Sequence, residues 1–207
     1  METPLSIVHV NVISGAAFDD FRDELKGRGV DVHVQEIDPP GPMASVAFAI
    51  ATVVTVFVAE KVFGGMLEEL GKELLPTLKA SLKKLYGTAF GPSAPNVTLV
   101  GRPGKVQESY PYSLNFSMVG ETIFGTRLRL LVKRQATEGD FARDVSSFLD
   151  LLEELNTGSA NAAVLERLNS VRPVGKTMMV VYDDASQAIC PIDPQTGQVH
   201  RSEGLPA

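Results

Sequence analysis

The segment 43–59, MASVAFAIATVVTVFVA, constrains the fold most, because its 17 residues carry no charge. A run of this kind is expelled from water, so it must be solvated by the protein interior or by lipid. Four placements meet this requirement: a buried helix, a membrane span, a helix released on a trigger, or a long strand favoured by its Val and Thr content. Its bulky apolar side chains are Val46, Phe48, Ile50, Val53, Val54 and Phe57.

A buried helix is the favoured placement of segment 43–59. Seventeen helical residues extend about 25 Å, which is short of the ~30 Å hydrocarbon core of a bilayer. The flanking charges are Asp38 before the segment and Glu60 with Lys61 after it, so the basic cluster that orients membrane spans is missing. We therefore predict a helix in the core of a soluble protein, and keep membrane insertion, constitutive or triggered, as the alternative.

Residues 60–86 have the pattern of an amphipathic helix. Apolar side chains recur every three or four positions from Phe63 and Leu67 onward, and glutamates and lysines lie between them. Pro76 should bend this helix and Gly87 should end it. In the membrane alternative, this helix lies at the interface with its leucines toward the lipid.

The start of the chain predicts a strand, a helix and a second strand. Apolar residues alternate with polar ones over 5–12 and 30–37, whereas residues 16–27 repeat apolar side chains at helical spacing. A βαβ unit of this size places its two strands side by side in parallel.

The second half of the chain mixes strand and helix patterns. Residues 112–119 and 123–133 separate apolar from polar side chains, which indicates an antiparallel sheet with one wet face and a turn at 119–122. The predicted elements are strands 96–101, 112–119, 123–133, 177–182 and 188–192, and helices 139–156 and 160–169.

These elements define an α+β fold, with one domain over 1–207. Its sub-layers are a short βαβ unit (1–42), a long central apolar and amphipathic helical segment (43–86), and a mainly antiparallel sheet with C-terminal helices and a hairpin (96–193). Residues 194–207 are predicted to form a loose tail.

Charge and cysteine content limit the function classes. The net charge is −6, and only the middle of the chain, residues 60–134, has a basic excess. Nucleic-acid binding is therefore not expected, since such proteins usually carry a basic surface. The chain has one cysteine, Cys190, and its first residues lack the basic stretch of a secretory signal, so we expect a cytoplasmic protein.

His9 and His33 are the first candidate site residues. If the first two strands are parallel neighbours, both imidazoles could project from one face of the sheet, as a metal site or an enzyme would require. A zinc site needs three or four ligands, and no third ligand is evident. A polar sheet face in water is the simpler interpretation.

Asp183 and Asp184 are the second candidates, because adjacent carboxylates suit a divalent metal. The preference of Asp for turns explains the pair more simply. Gly175-Lys176-Thr177 resembles the end of a phosphate-binding loop, but it lacks the upstream glycine and the following helix. The sequence therefore predicts no catalytic residue, no metal ligand and no cofactor.

The functional prediction follows from this lack of catalytic motifs. We expect a soluble, non-catalytic protein that acts through interaction or self-assembly surfaces, with a protein partner or a second copy of the chain. The alternatives are a membrane-active protein that inserts residues 43–59, and an enzyme or metal-binding protein that uses the His9 and His33 face.

Overall fold

The structure is a computed structural model, and the part of the chain that it describes forms one seven-stranded mixed sheet. It describes residues 5–11, 15–38, 52–56, 68–91, 111–193 and 196–201. The strands are β1 (Leu5–Val10), β2 (Val32–Ile37), β3 (Thr52–Val56), β4 (Tyr112–Glu121), β5 (Arg127–Lys133), β6 (Thr177–Asp183) and β7 (Ala188–Pro191). Their order across the sheet is β2-β1-β3-β4-β5-β6-β7.

Four α-helices lie in the described part of the chain, and the side chains that they bury form one core with a single face of the sheet. They are α1 (Ala16–Lys26), α2 (Glu68–Leu85), α3 (Glu138–Thr157) and α4 (Ala162–Asn169), and a π-helical turn, Tyr86–Phe90, continues α2. Aromatic rings in tilted and edge-to-face contact, from Phe90 through Phe116 to Phe141, run through this core. The α+β class predicted from the sequence is confirmed.

The predicted N-terminal βαβ unit is also confirmed. β1 and β2 pair in parallel, with Leu5 opposite Val32 and Val10 opposite Ile37. Helix α1 buries Phe18, an apolar side chain of its repeating face, against this pair and ends at Gly27.

Segment 43–59 does not form the predicted helix where the structure describes it. Thr52–Val56 is β3, which pairs antiparallel with β1 and parallel with β4, in the middle of the sheet. The sequence TVVTV is all β-branched, which suits a strand, whereas the lack of charge that suggested a helix fits either structure. The backbone of Val53 and Val54 therefore lies in the sheet. The other residues of the predicted apolar segment, Val46, Phe48, Ile50, Phe57, Phe63 and Leu67, lie outside the described residues.

The amphipathic helix is confirmed over Glu68–Leu85, and Pro76 lies inside it. Its apolar face buries Leu74, Leu78 and Leu82 in the core, as the spacing predicts. Among the described residues, no helix combines the length and the apolar composition that crossing a bilayer requires.

The C-terminal elements lie close to their predicted positions, with the 96–101 strand outside the described residues. β4 with β5 and β6 with β7 pair antiparallel, whereas β5 and β6 are parallel neighbours that α3 and α4 connect. The β4–β5 turn lies at 122–126, where the amide of Thr122 donates to the carbonyl of Thr126 (2.9 Å), so the predicted turn at 119–122 is wrong. The cause is that β4 continues to Glu121.

The predicted wet face of this sheet is a second, smaller core. It consists of Tyr112, Leu131, Met179, Val181 and Ile192, with Val199 packed against them. Residues 196–201, assigned from the sequence to a loose tail, are held along this face by the amide of His200, which donates to the carbonyl of Pro191 (2.9 Å). A shift in strand register between Tyr112 and Ser117 separates Tyr112 from Phe116 and Met118, with which it was predicted to share a face.

Candidate functional site

The two candidate histidines lie on opposite faces of the sheet. Ser6 is the partner of His33 across the β1–β2 pair, and Glu36 is the partner of His9. Since successive residues of a strand point to opposite faces, His9 and His33 point apart. His9 is buried on the helix side, where its ring stacks on Phe18 with 4.2 Å between centroids, whereas His33 is exposed. The prediction that both imidazoles share one face is therefore wrong.

Asp183 lies at the end of β6 and is buried and fully paired. Arg201 donates to both of its carboxylate oxygens, from Nε and Nη2 at 2.8 Å each. The amide and hydroxyl of Ser186 donate to Oδ2 at 2.9 and 2.8 Å. The hydrogen bond from Arg201 is the largest cause that holds the pKa of Asp183 well below its usual range. Asp183 therefore fastens the C-terminal segment to the β6–β7 turn.

Asp184 is exposed and belongs to a different network, between β5 and α3. It pairs with Lys133 and with Arg143, whose Nη2 lies 3.2 Å from Oδ1 of Asp184. Arg143 also contacts Asp140 (3.1 Å) and lies over the ring of Tyr182, 4.4 Å from its centroid. The carboxylates of Asp183 and Asp184 thus have separate partners, as expected for turn residues.

Asp144 is a titratable residue of this network that the sequence did not single out. It is buried on α3, and its Oδ1 accepts hydrogen bonds from Nε and Nη2 of Arg143 at 3.3 and 3.0 Å. Burial raises the pKa of Asp144 to about 6, because the hydrogen bonds and charge of Arg143 only partly offset the loss of hydration. The helical spacing of α3 could have shown that Asp144 is buried, because Phe141, Val145 and Phe148 place it on the apolar face of the helix.

These charged groups are paired with one another in the described part of the chain. The guanidinium of Arg143 is shared among three carboxylates, and Arg201 is taken up by Asp183. Cys190 is buried, with its Sγ 3.3 Å from the hydroxyl of Ser186. Within the described ranges, no group of three or more His, Cys, Asp or Glu side chains is placed to hold a metal ion.

Exposed apolar side chains form a different candidate site at the amino ends of β5 and β6. Ile123 and Phe124 occupy the β4–β5 turn with 51% and 69% of their surface exposed, and Val174, before β6, is 64% exposed. We call these three residues the apolar end. The two turns are neighbours, because β5 and β6 pair in parallel and the amide of Arg127 donates to the carbonyl of Lys176 (2.9 Å).

The β4–β5 turn is held firmly while it exposes these side chains. Asn156, at the end of α3, accepts a hydrogen bond from the amide of Ile123 (2.7 Å) and donates one to the carbonyl of Leu152 (2.7 Å). Gly125 adopts a φ of 72° within the turn, a conformation that favours glycine.

Sequence reasoning missed the apolar end because it placed Ile123 and Phe124 inside a strand. Gly125 followed by the alternating residues of β5 was the available signal for a later turn. Comparison with known proteins adds no assignment, since no family model, curated protein or solved structure matches the chain.

Proposed function

We propose that this protein is a non-catalytic interaction protein and that the apolar end is its docking surface. The observation that carries the proposal is the exposure of Ile123, Phe124 and Val174 on two adjacent turns. Burying a large apolar side chain contributes about 1.5–3 kcal/mol, so these three side chains supply a substantial driving force for binding. Clusters of exposed apolar residues mark interaction sites more often than single ones do.

The rigidity of the turn supports the same function. The side chain of Asn156 accepts from the amide of Ile123 and donates to the carbonyl of Glu121, and with the hydrogen bonds within 122–126 it fixes this backbone before any partner arrives. A docking surface that is already ordered loses less conformational entropy on binding. This arrangement therefore favours recognition rather than a flexible linker.

The alternative functions have less support. An enzyme or metal-binding protein that uses His9 and His33 would need both rings on one face, and they lie on opposite faces. Insertion of 43–59 as a helix would require β3 to leave the middle of the sheet, where it pairs on both sides. We place the protein in the cytoplasm, where its buried free thiol, Cys190, would stay reduced.

Site-specific photocrosslinking in cells tests the proposed function. The benzophenone amino acid p-benzoylphenylalanine replaces Phe124 in one variant and Asp20, an exposed residue of α1, in a matched control. We expect a discrete adduct, with protein, lipid or a second copy of the chain, at position 124 and none at position 20. Absent adducts at 124, or the same adducts at both positions, would overturn the proposal.

A further inference from the structure

We infer that the outer edge of β7 is a binding site for an extended segment of a partner protein, one that carries an apolar residue followed two positions later by an arginine. Residues 196–201 of the chain, which we call the strap, occupy this site and compete with the partner. Asp183, which anchors the strap, lies at the carboxyl end of β6, whereas the apolar end lies at its amino end. The inference therefore does not depend on the proposed function.

The strap pairs with the chain as a short additional strand beside β7. The amide of His200 donates to the carbonyl of Pro191 (2.9 Å), and Val199 lies opposite Ile192 in an antiparallel bridge. This edge thus binds extended main chain, as sites that add a strand to a sheet do. In such sites the main-chain hydrogen bonds contribute affinity, and alternate side chains contribute specificity.

Val199 and Arg201 are the alternate side chains of the strap that contact the sheet. Val199 packs against the second core, which contains Val181 and Ile192. Arg201 donates to both carboxylate oxygens of Asp183, at 2.8 Å each. Because every second residue of a strand points to the same face, an apolar residue and an arginine two positions apart make both contacts together. This spacing defines the sequence that the partner needs.

Asp183 makes the site selective when the strap leaves it. The side chain of Asp183 is only 8% exposed beside Arg201. Losing Arg201 removes two of the hydrogen bonds to this carboxylate, while those from Ser186 remain. A poorly hydrated charge with too few partners is unfavourable, and a guanidinium that donates to both oxygens restores its hydrogen bonds. A neutral or acidic segment does not supply these donors.

The strap is held by few contacts, so a partner can displace it. Val199 is half-buried, and the side chain of Arg201 is 54% exposed. Opening a segment of this kind requires much less free energy than global unfolding. The main-chain groups of Ile189 also point outward from β7, because the amide of Ile192 donates to Met179 of β6 and successive residues alternate. In the strap register, Ile189 lies beyond the position opposite Arg201, so a longer partner strand gains further hydrogen bonds.

The reaction of Cys190 with Ellman's reagent tests the inference in the full chain. This thiol is the single cysteine, is buried, and lies opposite Arg201 in the strap register. The test variants are Arg201→Gln and Val199→Ser. The matched control is Arg22→Gln, because Arg22 is an exposed-side ion-pair residue of α1, far along the chain from the strap. The probes are two capped hexapeptides, TGQVHR, which repeats the strap, and TGQVHQ, which lacks its arginine.

We expect Arg201→Gln to react at least about tenfold faster than the wild type, since hydrogen bonds to a charged group contribute about that factor. Val199→Ser should also react faster, whereas Arg22→Gln should match the wild type. The TGQVHR peptide in trans should slow the reaction of Arg201→Gln, and TGQVHQ should not. Unchanged rates in both strap variants, no protection by either peptide, or equal protection by both would overturn the inference.

Urea unfolding of each variant separates opening of the strap from loss of the whole fold. A rate increase no larger than the loss of global stability explains would also overturn the inference, because the strap would then not open by itself. If Arg201→Gln shows no cooperative unfolding transition, Val199→Ser decides by the same criteria.

Discussion

Gly120 of β4 lies directly beneath Leu152 of α3. A Cβ atom added at position 120 would lie 2.2 Å from Cδ1 of Leu152, 2.6 Å from Cδ2 and 2.9 Å from Cγ. All three distances are shorter than the contacts that Cβ atoms make in proteins, so the whole end of the Leu152 side chain would have to move. The absence of a side chain at 120 thus allows α3 to pack closely on the sheet.

Substitution of Gly120 by Ala should destabilise the fold by about 1–3 kcal/mol, because the fully buried Leu152 side chain would have to shift within a closely packed core. In a Leu152→Ala background the same substitution should cost much less, since the clash is removed. The free energy of unfolding from urea titrations of the two single variants and the double variant measures this coupling.

Gly139→Ala is the matched control, because a Cβ at this position in the first turn of α3 meets only the hydroxyl of Thr137, at 3.7 Å. It should leave stability unchanged or raise it by up to about 1 kcal/mol. Equal losses for Gly120→Ala in the two backgrounds would contradict the packing argument.

Asp144 should make the protein more stable as the pH falls from 7 to 4. The folded pKa is about 6 and the ordinary value is 3.8, so between these values the folded state binds the proton more strongly than the unfolded state does. The stability from this group is fully present below pH 3.8 and is lost as the pH rises through about 6. The free energy of unfolding of Asp144→Asn should therefore be about 1–3 kcal/mol higher than that of the wild type above pH 7. Near pH 4 the two values should be equal.

Thermal unfolding of the wild type and Asp144→Asn, followed by circular dichroism from pH 4 to 8, provides this measurement. Asp150→Asn is the control, because Asp150 is also on α3 but is only half-buried and pairs with Lys79. A difference between wild type and Asp144→Asn that does not vary with pH would argue against a raised pKa.

Arg201→Gln should detach the C-terminal segment and remove an acid-sensitive part of the stability. The pKa of Asp183 is lowered from 3.8, so its contribution is present above that pH and is lost as the pH falls below it. The variant should melt at a lower temperature than the wild type at pH 7, and the gap should narrow below pH 4. Hydrogen exchange at the amide of His200, which bonds to Pro191, should accelerate in the variant.

Ser81→Ala should stabilise the protein by about 1–2 kcal/mol. The Ser81 hydroxyl is buried on α2 without a hydrogen-bond partner in the described part of the chain, and Ala is also the better helix former. Ser146→Ala on α3 gains the same helix propensity but loses the hydrogen bond that the Ser146 hydroxyl donates to Asp150 (3.4 Å). Its effect on the free energy of unfolding should therefore be close to zero. Chemical denaturation compares the two, and an equal effect would show that the unpaired hydroxyl does not matter.

The elements that the sequence predicted well are those with one buried face. In α1 and α3 the apolar side chains repeat at helical spacing, and each helix buries that one face against the sheet. β3 was mistaken for a helix because a short run without charge has no period that separates the two structures. The C-terminal sheet buries both faces, and the second is covered by residues 196–201, a contact that local pattern does not reveal.

The candidate sites depend on register, which a single sequence specifies poorly. A one-residue shift reverses the face of a side chain, and this is why His9 and His33 were wrongly placed together. The same limitation hid the apolar end. β4 is two residues longer than predicted, and Ile123 and Phe124 therefore lie in a turn and not in the next strand.

The position of β3 affects how long the native sheet persists. β3 connects β1 and β4, strands separated by about half the chain, so the sheet becomes continuous only when this strand docks between them. Chain-closure entropy opposes such distant contacts, and we therefore expect β3 to join after the rate-limiting barrier to folding. A substitution that weakens its pairing would then shorten the lifetime of the native state and leave the refolding rate almost unchanged.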